Sequence, residues 1–197
     1  MEKLVIASNN PGKLREFQRM LAPLGIEVLT QAQLGISEAQ EPHFTFVENA
    51  LAKARHVSRE SGLPALADDS GICVEALGGA PGVISARYAG DDPKSDLKNN
   101  EKLLKEMQGV TDRRAHYYCV LVLVRHADDP QPVIAEGEWH GEIGYEEKGD
   151  GGFGYDPMFW LPQSGKMAAE LSHDEKAQIS HRAKALKALL EKLKLNG

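Results

Sequence analysis

Leu4–Lys13, LVIASNNPGK, decides how the chain begins to fold. The apolar run Leu4–Ala7 is short and stops at Ser8-Asn9-Asn10, which predicts a buried strand ending in a polar turn. Pro11 has the fixed φ of a first helical residue, and Asn10 has the side chain of an N-cap, so a helix should open there. Lys13 falls in that helix's first turn, where the dipole disfavours a cation. An anion held by free backbone N–H groups at the same place would reverse that preference. Ser8, Asn9, Asn10, Pro11, Gly12 and Lys13 therefore form a candidate phosphate cradle. A capped helix with a solvated lysine fits the same residues. The spacing is not that of a Walker-type phosphate loop.

Outward from this segment, Leu14, Phe17, Leu21 and Leu24 mark the inner stripe of the first helix, and Pro23 and Gly25 end it. Glu27–Thr30 reads as a second strand, followed by an irregular, acidic stretch over 31–44. Thr45-Phe46-Val47-Glu48 is a capping box that opens a helix to about Arg59, with Val47, Ala50, Leu51, Ala54 and Val57 inward. Ala65–Ala67 reads as a short strand ending at Asp68-Asp69-Ser70-Gly71, and the glycine-rich residues after it as loop. Asp96–Met107 predicts a polar helix with Leu97, Leu103, Leu104 and Met107 inward. His116–His126 is a strand covered on both faces, with Val133–Gly144 pairing beside it as a hairpin. The chain closes in an Ala-, Leu- and Lys-rich helix. Early alternation of strands and helices, with a hairpin in the middle, predicts an α/β fold with a mixed central sheet flanked by helices.

The 197 residues fit one domain, or a domain with a small lobe, and 42% hydrophobic residues suffice for a core. A net charge of −6 argues against coating polymeric nucleic acid, though not against a pocket for one nucleotide. Cys73 and Cys119 are far apart in apolar stretches and read as buried free thiols, which suits a reducing, cytoplasmic setting. The N-terminal apolar run is too short for a signal peptide, and no stretch approaches a membrane span.

Two adjacent acids after an apolar strand are placed to face a ligand crevice, and hard carboxylate oxygens there suit Mg²⁺ held together with substrate phosphates. A plain turn has the same composition. Glu38, Glu41 and Glu48 are further acids nearby, although Glu48 already has work as the capping-box residue. Asn49 and Lys53 share a helix face. Gly151-Gly152-Phe153-Gly154-Tyr155-Asp156-Pro157 lets backbone approach a ligand and offers aromatic rings for stacking on a base. A tight turn with its aromatics tucked into the core is the alternative. Ser172–Glu175 is another capping box. On one unbroken helix Lys176 and Arg182 would lie about 240° apart, so both can serve one pocket only if the helix breaks near Ser180.

SNNPGK, FTFVENALAKAR, ALADDSGICVEALGGAPGVISARYAG, GGFGYDPMF and SHR stand in this order from about residue 4 to the C-terminus. Together they resemble the Ham1/RdgB family of inosine triphosphate pyrophosphatases, in its bacterial branch. The resemblance implies a single elongated α/β domain over 1–197, with two lobes and a cleft between them. It also implies a homodimer and Mg²⁺-dependent hydrolysis of ITP, dITP or XTP to the monophosphate and pyrophosphate, which cleanses the nucleotide pool. By the same resemblance, Ser8–Lys13 and Lys53 hold the triphosphate. Asp69 is the catalytic acid and a metal ligand, Glu41 is a second metal ligand, and Ser70 touches substrate. Phe153, Gly154, Tyr155 and Asp156 surround the base, and Lys176, His181 and Arg182 complete the nucleotide contacts. Many relatives have Thr-Gly-Asn at Ser8-Asn9-Asn10, and Glu-Glu-Thr-Gly at Gln40-Glu41-Pro42-His43, where one acid is kept. The competing readings are a related pyrophosphatase with another base preference, as in the Maf-like enzymes, and a nucleotide-binding module without turnover. Carboxylates at Asp68 and Asp69 speak against the second, because they repel phosphates unless a metal intervenes.

Overall fold

The computed structural model describes residues 2–195. Its strands are β1 (Lys3–Ile6), β2 (Glu27–Thr30), β3 (Ala65–Val74), β4 (Arg114–Val124), β5 (Val133–Ile143), β6 (Phe159–Leu161) and β7 (Lys166–Met167). Its helices are α1 (Pro11–Leu21), α2 (Phe46–Ser61), α3 (Asp96–Glu106), α4 (His173–Ile179) and α5 (His181–Leu195). One seven-stranded sheet has the order β2-β1-β3-β4-β5-β6-β7. β1 pairs in parallel with both β2 and β3, whereas β5–β6 and β6–β7 are antiparallel, so the sheet is mixed as expected.

The chain forms two compact units. The first comprises 1–69, 120–136 and 185–197, and the second 70–119 and 137–184. In the first unit, Leu4–Ala7, Phe17, Leu21, Ala54, Val57, Ala65–Ala67 and Val120–Val124 are buried. The consecutive burial of Cys119–Val124 is the signature of a strand covered on both faces. In the second unit a core gathers Ile72, Val74, Leu103, Met107, Tyr117, Trp139, Tyr155, Met158 and Phe159. Strand β5 alternates, with Ala135 and Trp139 buried and Glu136, Glu138 and His140 exposed.

The ends of α1 and α2 follow their local chemistry. Asn10 caps α1, its side chain accepting from the Gly12 and Lys13 N–H groups, and Thr45 caps α2 by accepting from the Glu48 N–H. Five expectations need correction. Leu24 is 43% exposed, because α1 ends at Leu21 and Pro23 enters a 3₁₀ turn that takes residue 24 off the helical stripe. Leu97, in the first turn of α3, is 62% exposed. β3 does not stop at Ala67 but runs ten residues, so Asp68, Asp69 and Ser70 are strand residues rather than a turn. The glycine-rich stretch after it carries a 3₁₀ helix at Gly82–Arg87. Of the two free thiols, Cys119 is buried and Cys73 only half-buried. The C-terminal helix breaks at Ser180, whose extended φ −66°, ψ 158° ends α4 and whose Oγ accepts from the Ala183 N–H.

Leu121 is fully buried and Leu24 is not. Leu121→Ala is expected to lower the unfolding free energy by about 2–5 kcal/mol in urea titrations, and Leu24→Ala by under ~1 kcal/mol.

Candidate active site

β1 ends at Ile6 beside Leu66, so the next residues of β3 extend past the end of its parallel neighbour. β1 is also flanked by β2 on its other side, so the strand order reverses at β1, the kind of place where α/β sheets bind ligands. Asp68 and Asp69 stand there, 1% and 6% exposed. Successive strand residues face opposite sides of a sheet, so a lysine meets each acid from its own side. Lys13 of α1 places Nζ 2.9 Å from Asp68 Oδ2, and Lys53 of α2 places Nζ 3.3 Å from Asp69 Oδ1. Lys53 also pairs with Glu41. The Glu41 segment is tied to α2 by Asn49, which donates to the His43 carbonyl (3.1 Å) and accepts from the His43 N–H (3.0 Å). The remaining acids are occupied elsewhere. Glu38 accepts from Asn9 Nδ2 at 3.0 Å, and Glu48 accepts from the Thr45 hydroxyl at 2.5 Å.

The turn Ser8–Lys13 is not an open cradle. Asn10 Oδ1 takes both the Gly12 and Lys13 N–H groups, Leu14 N–H goes to the Asn10 carbonyl, Ser8 Oγ accepts from the Asn10 N–H, and Pro11 has none to offer. A phosphate at this turn would meet the Lys13 ammonium and the helix dipole rather than waiting N–H groups.

The second unit holds the other candidates. Arg182 is 2% exposed, donates from Nη2 to Ser70 Oγ at 3.1 Å, and has its guanidinium 6.0 Å from the Phe153 ring centre. Lys176 Nζ lies 4.6 Å from the same ring and 2.6 Å from Asp156 Oδ2. The break at Ser180 makes this possible, since Lys176 is in α4 and Arg182 in α5. Asp156 is 2% exposed, and its carboxylate accepts from Lys176, from the Phe153 N–H (3.0 Å) and from the Tyr117 hydroxyl (3.1 Å). Burial, with the Asp156 charge beside it, pushes the Tyr117 phenol well above its usual range, so it stays a donor. Gly152 has φ +73°, and a side chain there would collide with the Asp156 carboxylate. His181 is stacked on Tyr117, centroids 4.7 Å apart, and lies 6.4 Å from Trp139. Tyr155 offers no free face. It is a core residue, 4% exposed, and its hydroxyl donates to the Ser85 carbonyl at 2.7 Å.

The model of the Ham1 family matches residues 4–192. The chain belongs to the Ham1 family. A dITP/XTP pyrophosphatase of Ralstonia nicotianae is 66% identical over 197 residues, spanning 99% of this chain and 98% of its own. One of Chromobacterium violaceum is 62% identical over 193 residues, 98% of each chain. Among solved structures, a HAM1 protein from Coxiella burnetii matches with a TM-score of 0.92 at 44% identity, over 98% of this chain and 99% of its own. The Staphylococcus aureus Ham1 protein matches at 0.88 and 39%, over 99% and 100%.

Within this Ham1 chain, the residues singled out by sequence fall into two sets. Lys13, Glu41, Lys53, Asp68 and Asp69 are joined by ion pairs in one, and Ser70, Phe153, Asp156, Lys176 and Arg182 by contacts in the other. Sequence reasoning missed Tyr117, Asp96 and Asn100. The signal available for Asn100 was an asparagine pair, Asn99-Asn100, inside a helix, where asparagine is disfavoured.

The donor set of the first group fits a divalent cation. Asp69 Oδ2 is buried and makes no hydrogen bond, and the oxygens nearby are hard carboxylate donors. Among the described residues no three His, Cys, Asp or Glu side chains converge on a metal position.

Burial pushes the Asp69 carboxyl up to about 6, against the pull of Lys53 and Lys13 and helped by Glu41 and Asp68. Burial opposes the Lys53 charge, but Asp69, Asp68 and Glu41 outweigh it and raise its pKa. Because the Asp69 value in the fold lies above the ordinary 3.8, its contribution to stability is present below that pH and is lost as pH rises through about 6. Carboxyl ¹³C NMR of the metal-free protein is expected to give an Asp69 midpoint near 6. Lys53→Met should move it upward by removing the lysine's pull. A midpoint near 4, or a downward shift, would contradict this account.

Proposed function

We propose that this chain hydrolyses the α–β phosphoanhydride of dITP, ITP and XTP, giving the nucleoside monophosphate and pyrophosphate. Relatives between 62% and 66% identical, matching nearly the whole chain, are named dITP/XTP pyrophosphatases. The observation that carries the reading is the set of two lysines seated on buried carboxylates at the carboxyl end of β1.

In this reading Lys13 and Lys53 exchange carboxylate oxygens for triphosphate oxygens when substrate enters. Mg²⁺, held by Asp69 and Glu41, would offset the charge of the triphosphate and of the departing pyrophosphate. Asp69 accepts a proton from the attacking water. Phe153 stacks on the purine. Arg182 and Lys176, which carry only donors, face the acceptor oxygen at C6 of hypoxanthine or xanthine. The adenine amino group would leave buried donors facing a donor, which is costly. Assembly as a homodimer and a cytoplasmic location belong to the same reading. Two free cysteines suit a reducing compartment, and no described helix is long and apolar enough to cross a membrane.

Pyrophosphate release from dITP, XTP, ATP and GTP with Mg²⁺ tests the assignment directly. Faster turnover of ATP or GTP would overturn the base preference, and no release from any would overturn the activity. Asp69→Asn is nearly isosteric and is expected to retain less than about a tenth of the wild-type rate, a loss of over ~1.4 kcal/mol in transition-state stabilisation. Arg182→Ala should lower kcat/KM for ITP far more than for ATP, while Phe153→Ala should lower both alike. Equal losses with Arg182→Ala would show that this side chain does not read the base.

A further inference from the structure

Helix α3 carries two adjacent asparagines, Asn99 and Asn100, that are 1% and 3% exposed. A buried carboxamide inside a helix is disfavoured by propensity and by desolvation unless its polar atoms are used. Both side chains are used outside the helix. Asn99 accepts from the Ala89 N–H at 2.7 Å and donates to the Ala86 carbonyl at 3.2 Å. Asn100 Nδ2 donates to the Gly154 carbonyl at 3.2 Å. One turn earlier on the same helix face, Asp96 Oδ2 accepts from the Gly154 N–H at 2.9 Å.

These bonds bear on Phe153. The peptide that precedes Phe153 is tied through its N–H to Asp156, and the peptide that follows it is tied through the Gly154 N–H to Asp96. Asn100 then ties the next peptide, beyond a Gly154 that sits at φ +63°. Three successive peptide planes around one aromatic ring are thus held by side chains. The peptides they hold include Gly152 and Gly154, whose backbone would otherwise lose much entropy on being ordered by a ligand. Asn100 Oδ1 is buried without a hydrogen bond, a cost that an apolar residue in its place would not carry.

We propose that Asp96 and Asn100 are positioning residues for base recognition: from α3 they fix the backbone of the Phe153 loop and so hold its ring ready to stack. This rests on the reading above, in which Phe153 takes the purine. Neither residue touches the triphosphate in that reading, so their effect should appear only with ligands that carry a base.

The test compares Asn100→Ala with wild type using dITP as substrate and inorganic triphosphate, which has no base, as inhibitor. Asn100→Ala is expected to raise KM for dITP about tenfold with kcat little changed and with the same Ki for triphosphate. In the Phe153→Ala background, Asn100→Ala should add almost nothing, since the ring it positions is gone. Asp96 is exposed, so its variants test the idea even if Asn100→Ala fails to fold. Asp96→Asn keeps an acceptor and should behave as wild type, while Asp96→Ala should reproduce the KM effect. Parallel rises in KM and Ki, or full additivity with Phe153→Ala, would show a general structural role and overturn the proposal. A wild-type protein that turns over no dITP would instead overturn the underlying reading.

Discussion

Two adjacent carboxylates buried in the middle of a strand are the constraint on which the first unit depends. Taking Asp68 and Asp69 out of water is unfavourable, and the attraction of Lys13 and Lys53 offsets it. The start of α1 and the middle of α2 each deliver one lysine. The capping of α1 by Asn10 and of α2 by Thr45 therefore matters beyond helix stability, since it sets where each lysine's stem begins. Burial leaves Asp69 with a raised pKa against the pull of both lysines, and one of its oxygens makes no hydrogen bond.

The second unit repeats the device with different parts. Asp156 is buried and its charge is met by Lys176, by the Tyr117 hydroxyl and by the Phe153 N–H. These three donors tie its carboxylate to Lys176 and to the loop around Phe153. Tyr155 likewise faces inward, to Ser85, and leaves Phe153 as the ring of this loop beside the two cations. The aromatic stack of His181 on Tyr117 packs the residue before Arg182 into the core, which locks the start of α5 and the direction of the guanidinium.

Much of this was legible in the residues alone, where the governing physics is local. Asn10 before Pro11, Thr45 before Glu48 and Ser172 before Glu175 name helix starts, because a cap acts within one turn. Glu27–Thr30 as a strand, the doubly covered centre of β4 and the possible break at Ser180 were equally readable from pattern. Membership of the Ham1 family and its mixed α/β sheet followed from five motifs in order. What local pattern could not give was the length of β3. Asp-Asp-Ser-Gly has the composition of a turn, and only lysines from two distant helices make it tolerable inside a strand.

The sequence by itself determined where most elements start and which fold class they build. These are consequences of side-chain periodicity, capping and motif order, each written in a short window. Tertiary structure alone decided that Leu97 faces solvent, that Tyr155 is core, and that Asn100 and Asp96 grip Gly154 from α3. Each of those outcomes is a choice of partner between segments far apart in the chain. Such a choice is set by burial and by competition for hydrogen bonds, and these exist only once the segments have met.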